Sequence, residues 1–330
     1  MEDVLLVVVI AVALGFDFTN GFHDTANAVA TSVSTRALSP RLAVAVAAAA
    51  NLAGAFVTTA VAKTVGKGII DSGLATTHTI LAALIGAIAW NLLTWWFGLP
   101  SSSSHALFGG LIGAALAQSG TGGVEWHGLA HKVAIPALLA PTLAFAAAFA
   151  LLVTIYWTVG TWITPGAGNR TFRIGQLATG TFMAFTHGAN DAQKTMGVIA
   201  LALFAHGSID EFYIPFWVKL AAGGAIAAGT YTGGWRIMRT LGQRLYKMEP
   251  AAGFAAQASA SVTIYLGTKF GYPLSTTHTI SGAVLGAGAT RRLSAVRWGV
   301  AGNIVVAWIL TIPAAGLVAA ALYWPIVGAF

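Results

Sequence analysis

The sequence Asn20-Gly-Phe-His-Asp-Thr-Ala-Asn-Ala28 decides the fold, because a related sequence recurs in the second half of the chain. The second copy reads His187-Gly-Ala-Asn-Asp-Ala-Gln-Lys-Thr195 and places Asp191 opposite Asp24, 167 positions later. Many membrane proteins are built from two related halves that leave such an internal repeat. This pair, called the acidic sequences below, therefore predicts a duplicated chain.

A second pair of sequences supports the duplication. Gly98-Leu-Pro-Ser-Ser-Ser-Ser-His105 matches Gly271-Tyr-Pro-Leu-Ser-Thr-Thr-His278, 173 positions later. These hydroxyl sequences follow the acidic ones in both halves at nearly constant spacing. We therefore divide the chain into an N-terminal membrane repeat over 1–160, a linker over 161–173 and a C-terminal membrane repeat over 174–330.

The composition excludes a water-soluble protein. Of 330 residues, 57% are hydrophobic and only 8% are Asp, Glu, Lys or Arg, against about 25% in a soluble domain. Residues 72–124 carry no such charge. As one helix they would be about 80 Å long, whereas the hydrocarbon core of a bilayer is about 30 Å thick. We predict an all-α polytopic membrane protein with broken helices, re-entrant hairpins near 81–118 and 255–290, and about 10–12 membrane segments.

Loop charges predict how the halves are oriented. Segment 255–290 has basic residues on both flanks, whereas the matching loops of the first half are nearly balanced. Because basic loops stay in the cytoplasm, we predict an inverted-topology repeat, a multi-pass membrane protein with its N-terminus outside, and a cytoplasmic amphipathic helix over 233–253. These loops also explain the net charge of +7, so no nucleic-acid partner is expected. The sequence leaves a homo-oligomer open.

Asp24 and Asp191 are the strongest candidates for a functional site. Both lie in apolar surroundings, where inserting an ionisable group costs about 2.5 kcal/mol or more. Neighbouring Asn and Gly residues are expected to loosen the helix and expose backbone groups that bind ions. A neutral, hydrogen-bonded Asp that caps a broken helix is the structural alternative, and both can hold together.

The hydroxyl sequences predict two anion sites. In each, Gly and Pro break a helix, hydroxyl residues follow, and an apolar segment restarts. This order puts hydroxyls and free backbone N–H groups at the positive end of a new half-helix, an arrangement that holds phosphate without a fixed cation. His105 and His278 end the two copies, and they either orient the loops or carry protons.

The acidic sequences resemble the two signatures of the inorganic phosphate transporter (PiT) family, whose pattern reads close to Gly-Ala-Asn-Asp-Val-Ala-Asn-Ala. The hydroxyl sequences are similar to its Pro-Val-Ser-Thr-Thr-His elements, and the resemblance to the bacterial low-affinity branch covers nearly the whole chain. It implies a protein of the bacterial inner membrane in which phosphate binds between the halves. The resemblance assigns phosphate to Ser102, Ser103, Ser104, Ser275, Thr276 and Thr277, and cations to Asp24, Asn27, Asn190 and Asp191.

Two departures from the family pattern bear on the coupling ion. His23 replaces the first Asn of one signature, and Lys194 replaces the last Asn of the other. An ammonium has only donors and cannot ligate sodium. We therefore predict a secondary active symporter that imports phosphate by alternating access, driven by protons in preference to sodium. Asn27 and Lys194 are also assigned to the substrate, and proton coupling is assigned to Asp24, Asp191, Asn190, His23, His105 and His278.

Several alternatives remain open from the sequence. They are a sodium-coupled phosphate symporter, a permease for another tetrahedral oxyanion such as sulfate, a passive channel and a membrane-embedded hydrolase. The chain lacks His-Glu-x-x-His and Gly-x-Ser-x-Gly motifs, so we do not predict an enzyme. We expect no cofactor and assign no metal site. The predicted substrate is phosphate, either alone or as a neutral metal-phosphate complex.

Overall fold

The computed structural model describes residues 2–159, 164–246, 248–290, 294 and 296–330. Within these ranges the chain is almost entirely helical, and each half contributes six helices. The first half contains α1 (Glu2–Ser34), α2 (Pro40–Gly54), α3 (Ala60–Lys67), α4 (Thr77–Phe97), α5 (Ser103–Ser119) and α6 (Trp126–Thr158). The second contains α7 (Pro165–Ala205), α8 (Phe216–Thr232), α9 (Trp235–Arg239), α10 (Pro250–Lys269), α11 (Thr276–Ala289) and α12 (Trp298–Ala329). The all-α prediction is confirmed.

The helices have the lengths and surfaces of a membrane protein. Within the described ranges, α1, α4, α6 and α12 are long and apolar enough to cross a bilayer. Large apolar side chains cover the outer surface: Leu138 is 74% exposed, Trp157 79% and Leu317 71%. Exposed apolar area on this scale needs lipid around it. The polytopic membrane class is confirmed, and the count of 10–12 segments stays a prediction.

Both predicted hairpins turn at a glycine in the left-handed conformation. Gly98 ends α4 with φ 65°, and Gly271 follows α10 with φ 73°. Residues with a Cβ rarely adopt these angles. Ser102 and Ser275 then cap α5 and α11, each accepting a hydrogen bond from a backbone N–H of the first turn. The breaks before the hydroxyl residues therefore occur where the sequence predicts them.

The two halves pack in a matching way. Helix α5 packs against α12, and its counterpart α11 packs against α6. Likewise α2 lies against α7, while α8 lies against α1. Each half thus builds its contacts with the corresponding elements of the other, which supports the duplication. The inverted orientation of the two repeats stays a prediction.

The expectation that the acidic sequences loosen their helices is wrong. Helices α1 and α7 run unbroken through Asp24 and Asp191. Their glycines instead allow close helix packing, because a Cβ on Gly21 would lie 2.4 Å from the carbonyl oxygen of Ile226. Gly188 plays the same part against α2. Small residues commonly serve this purpose where membrane helices cross.

The predicted linker over 161–173 needs correction. Residues 161–163 lie outside the described ranges, and Pro165–Arg173 forms the first turns of α7. Proline is favoured at this position because its fixed φ suits a helix start and its missing N–H costs nothing there. The Gly- and Thr-rich composition of the segment indicated a linker, so the start of α7 was not predicted.

The predicted amphipathic helix over 233–253 is shorter than expected. It comprises α9 and one π-helical turn, Thr240–Arg244, and the next helix begins at Pro250. Met238 and Leu241 are buried, whereas Trp235 is 43% exposed, and the element packs against α1. Most of its apolar face therefore covers the protein interior.

Candidate functional site

Asp24 lies on the buried face of α1 and is 2% exposed. Nδ1 of His23 lies 2.6 Å from Oδ1 of Asp24. Nε2 of the same ring lies 3.1 Å from the hydroxyl oxygen of Thr94 on α4. The imidazole thus connects the carboxylate of Asp24 to the neighbouring hairpin. Its contact with Oδ1 competes with any cation that would bind this oxygen.

The second carboxylate is paired with a buried ammonium. Nζ of Lys194, 1% exposed, contacts Oδ1 of Asp191. It also donates to the hydroxyl oxygen of Ser104 at 2.5 Å and to the carbonyl oxygen of Leu274 at 2.7 Å. An ammonium has three hydrogens, so this set satisfies all of them. Full pairing is what allows a charge to be buried at this depth.

Thr276 brings the two carboxylates into one cluster. Its hydroxyl oxygen lies 3.3 Å from Oδ2 of Asp191 and 3.4 Å from Oδ2 of Asp24. The hydroxyl oxygen of Thr277 lies 3.4 Å from Oδ1 of Asp24 and accepts a hydrogen bond from Nδ2 of Asn27 at 2.8 Å. The first turn of α11 therefore meets the acidic sequences of both halves.

Two contacts across the halves correspond by the repeat. Lys194 occupies the position in α7 that Asn27 occupies in α1, and Ser104 occupies the position in α5 that Thr277 occupies in α11. Asn27 donates to Thr277, and Lys194 donates to Ser104. Each acidic sequence thus reaches the hydroxyl loop of the other half, and one of the two donors carries a positive charge.

His187 supports the cluster from outside the predicted set. Its Nε2 lies 3.2 Å from Oδ2 of Asp191, and its Nδ1 lies 2.9 Å from Oδ1 of Asn51 on α2. Nδ2 of Asn51 in turn donates to Thr230 on α8 at 2.8 Å. The spacing of four residues between His187 and Asp191 places both on one helix face, and this was the signal available in the sequence.

Three of these groups can together hold a metal ion. Asp24, His187 and Asp191 each present a ligand atom, and within the described ranges these atoms lie within 4.8 Å of one another. Two carboxylates and an imidazole suit a divalent transition metal. Lys194 competes for Asp191, because its ammonium already contacts one oxygen of that carboxylate.

Four predicted site residues lie beside the cluster, and three of them contact the backbone or another helix. Ser102 and Ser275 are the caps of α5 and α11. The hydroxyl of Ser103 has no hydrogen-bond partner among the described residues. Nδ2 of Asn190 donates to Thr268 at 2.8 Å and to a carbonyl just beyond α10. These contacts hold the hairpins in place.

His105 and His278 face each other next to an apolar cavity. Their ring centroids are 4.6 Å apart in an edge-to-face arrangement. The ring of His278 also stacks on Trp308, with centroids 3.9 Å apart. Both rings line a cavity of about 600 Å³ whose other walls are mainly apolar side chains of α6, α11 and α12. Their assignment as proton carriers stays a prediction.

Comparison with known proteins identifies the family. Residues 20–319, which include both acidic and both hydroxyl sequences, match the model of the Phosphate transporter family. The chain belongs to this family. Because its members are transporters, the chain is a phosphate transporter and not an enzyme, which excludes the membrane-embedded hydrolase.

Two relatives and one solved structure resemble the chain over nearly its full length. A probable low-affinity inorganic phosphate transporter of Rhizobium meliloti is 51% identical, covering 97% of this chain and 96% of that protein. One of Bacillus subtilis is 42% identical, covering 98% of each. A solved structure described as the sodium-dependent phosphate transporter has a TM-score of 0.93 and 25% identity, covering 99% of this chain and 100% of that one. The resemblance to the bacterial low-affinity branch is confirmed.

Proposed function

We propose that this phosphate transporter is a secondary active symporter that imports inorganic phosphate together with protons by alternating access. The observation that carries the proposal is the ammonium of Lys194. It lies between the halves and joins Asp191 to Ser104 and to the carbonyl of Leu274. A positive charge at this place attracts phosphate and leaves less room for a sodium ion.

The groups around Lys194 suit a tetrahedral oxyanion. The first turns of α5 and α11 supply the hydroxyls of Ser104, Thr276 and Thr277. Helix N-termini favour anions because their free N–H groups and the helix dipole point at the ligand. Phosphate would take over the ammonium and hydroxyl hydrogens that now bond within the protein.

The charge of phosphate sets an energetic requirement. Moving a dianion inward against 100 mV costs about 4.6 kcal/mol, since one charge costs about 2.3 kcal/mol. Coupled protons can supply this energy, and they can also neutralise the substrate. A nitrogen already pairs with each carboxylate, that of His23 with Asp24 and that of Lys194 with Asp191. These pairs leave fewer oxygens free for sodium and therefore favour coupling to protons.

Sodium coupling is the second candidate, and one observation favours it. The structural neighbour is described as sodium-dependent, and the carboxylates of Asp24 and Asp191, which lie close together, would supply oxygen ligands. Together with His187, the same two groups could instead receive the metal of a neutral metal-phosphate complex. In either case the cation has to compete with Lys194 for Asp191.

Alternating access is supported by burial and by the repeat. Asp24, Asp191 and Lys194 are each at most 2% exposed, so substrate reaches them only after a rearrangement. The contacts between Asn27 and Thr277 and between Lys194 and Ser104 join the two halves. We expect these contacts to break and re-form as one half rocks against the other.

Uptake by proteoliposomes under imposed gradients tests the proposal. A proton gradient without sodium should drive labelled phosphate above its outside concentration, and excess arsenate should compete better than excess sulfate. Accumulation that requires sodium and ignores the proton gradient would contradict proton coupling. Equilibration without accumulation would indicate a passive channel.

A further inference from the structure

A third carboxylate lies near the site and takes no part in the pairs described above. Asp17, on α1, is 0% exposed, and neither of its carboxylate oxygens has a hydrogen-bond partner in the described part of the chain. A buried ionised carboxylate without a donor is strongly unfavourable. Such a group needs a proton or a cation.

The position of Asp17 relates it to the phosphate site. It precedes Asp24 by seven residues, two turns along the same face of α1 and about 10 Å along the helix axis. Across the contact with α7, its electrostatic neighbours are Asp191 and Lys194. Among the described residues, no other element packed against α1 supplies a charged group that acts on it. Asp17 thus interacts electrostatically with Asp191 and Lys194, the ion pair that would bind phosphate.

Two polar side chains adjoin the Asp17 carboxylate, and each contains a donor as well as an acceptor. Asn20 and Thr195 lie next to its carboxylate. The amide oxygen of Asn20 and the hydroxyl oxygen of Thr195 are buried and, like the oxygens of Asp17, lack partners of normal geometry among the described residues. One added proton gives Asp17 a donor for Asn20, while the hydroxyl of Thr195 donates to the other carboxylate oxygen. A hard divalent cation would instead take about six oxygens.

We propose that Asp17 carries the proton that is co-transported with phosphate. The inference rests on the proposed proton symport and adds the residue that holds the proton. The outside solution supplies the proton, which forms the carboxyl O–H of Asp17 and leaves it toward the cytoplasm, so the group returns unchanged.

Charge explains how the proton and phosphate become coupled. When phosphate engages the ammonium of Lys194, Asp191 loses part of its counter-charge and negative charge builds up near Asp17. That change favours the protonated carboxyl. By linkage, protonation of Asp17 strengthens phosphate binding by the same factor. The two ligands therefore bind and leave together, as symport requires.

The test compares accumulation with exchange for Asp17→Asn. Asparagine resembles the protonated carboxyl but cannot release a proton. Purified variants in proteoliposomes are measured for phosphate accumulation under a one-unit proton gradient and for phosphate exchange at equal pH. Because one coupled proton supplies a tenfold concentration ratio per pH unit, we expect the variant's accumulation ratio to fall about tenfold while its exchange stays within about threefold of the original rate. Asp3→Asn, at the exposed start of α1, should leave both unchanged.

The outcomes separate this inference from the proposed function. If the original protein ignores the proton gradient, proton symport fails and the inference fails with it. If the original protein responds and D17N responds equally, or if D17N also loses exchange, only the role of Asp17 is overturned. Should D17N not reach the membrane, D17E decides: coupled accumulation with a displaced pH profile supports the proposal, and an unchanged profile overturns it.

Discussion

The ammonium of Lys194 donates a hydrogen bond to the hydroxyl of Ser104. This contact joins the acidic sequence of the second half to the hydroxyl loop of the first. It is the charged counterpart of the neutral contact between Asn27 and Thr277. The duplicated chain thus carries one positive charge where a symmetric site would carry an amide.

Replacing Lys194 by Gln should weaken phosphate transport strongly. Hydrogen bonds to charged groups contribute about 1.5–3 kcal/mol, so we expect the KM for phosphate to rise about tenfold to a hundredfold. The variant should also melt at a lower temperature, because Asp191 loses its buried partner. Proteoliposome kinetics and a thermal-unfolding assay check the two effects. The control is Lys63→Gln, on the exposed face of α3, and an unchanged KM for K194Q would contradict the site.

Replacing Ser104 by Ala tests the hydroxyl loop separately from the charge. Its hydroxyl is a partner of Lys194 and a predicted phosphate ligand. One neutral hydrogen bond contributes about 1 kcal/mol, so the KM for phosphate should rise about fivefold. Ser119→Ala, at the exposed other end of α5, serves as the control. Equal KM values for the two variants would remove Ser104 from the substrate site.

Much of the site could be predicted from the sequence, because two duplicated patterns single out its residues. Lys194 and Asp191, which pair in the structure, are three residues apart and therefore share one helix face. The partners in other helices could not be predicted: Ser104 for Lys194, Asn51 for His187 and Thr276 for both carboxylates depend on how helices cross. Asp17 lay outside both patterns and was missed, although its spacing of seven residues from Asp24 was visible.

The unbroken helices show where local sequence rules mislead. Gly and Asn within the acidic sequences suggested loosened helices, since Gly has the greatest backbone freedom. In the structure, Gly21 and Gly188 let neighbouring backbones approach, while Asn27 and Asn190 bond to other helices. A glycine that breaks a helix and one that admits a neighbour look alike until the packing is known. Where a proline follows the glycine, as after Gly98 and Gly271, the break was predicted correctly.

Gly188→Ala should disrupt the contact between α7 and α2. A Cβ there would lie 2.1 Å from the carbonyl oxygen of Asn51, whose side chain supports His187. Backbone cannot move aside cheaply, so we expect little folded protein in the membrane, measured by size-exclusion chromatography of a fluorescent fusion. Gly15→Ala is the matched control, because nothing lies within 4 Å of its Cβ. Normal yield and transport for G188A would contradict the packing.

Restoring the family's asparagines should change the coupling ion. In the double variant H23N/K194N, two nitrogen groups give way to amides whose oxygens can ligate sodium. We expect an imposed sodium gradient to stimulate phosphate uptake at least about threefold, corresponding to roughly 0.6 kcal/mol. The original protein measured in the same gradient provides the comparison. A double variant that transports phosphate but still ignores sodium would show that these two residues do not select the ion.

The most direct measurement follows proton movement itself. Phosphate is added outside sodium-free proteoliposomes whose membrane potential is clamped, and a trapped dye reports the internal pH while labelled phosphate reports uptake. Protein-free liposomes correct for leakage. Proton symport predicts internal acidification that tracks phosphate uptake in the original protein and that falls in proportion to uptake in K194Q. Phosphate uptake without acidification, or uptake that begins only when sodium is added and carries labelled sodium with it, would contradict the account.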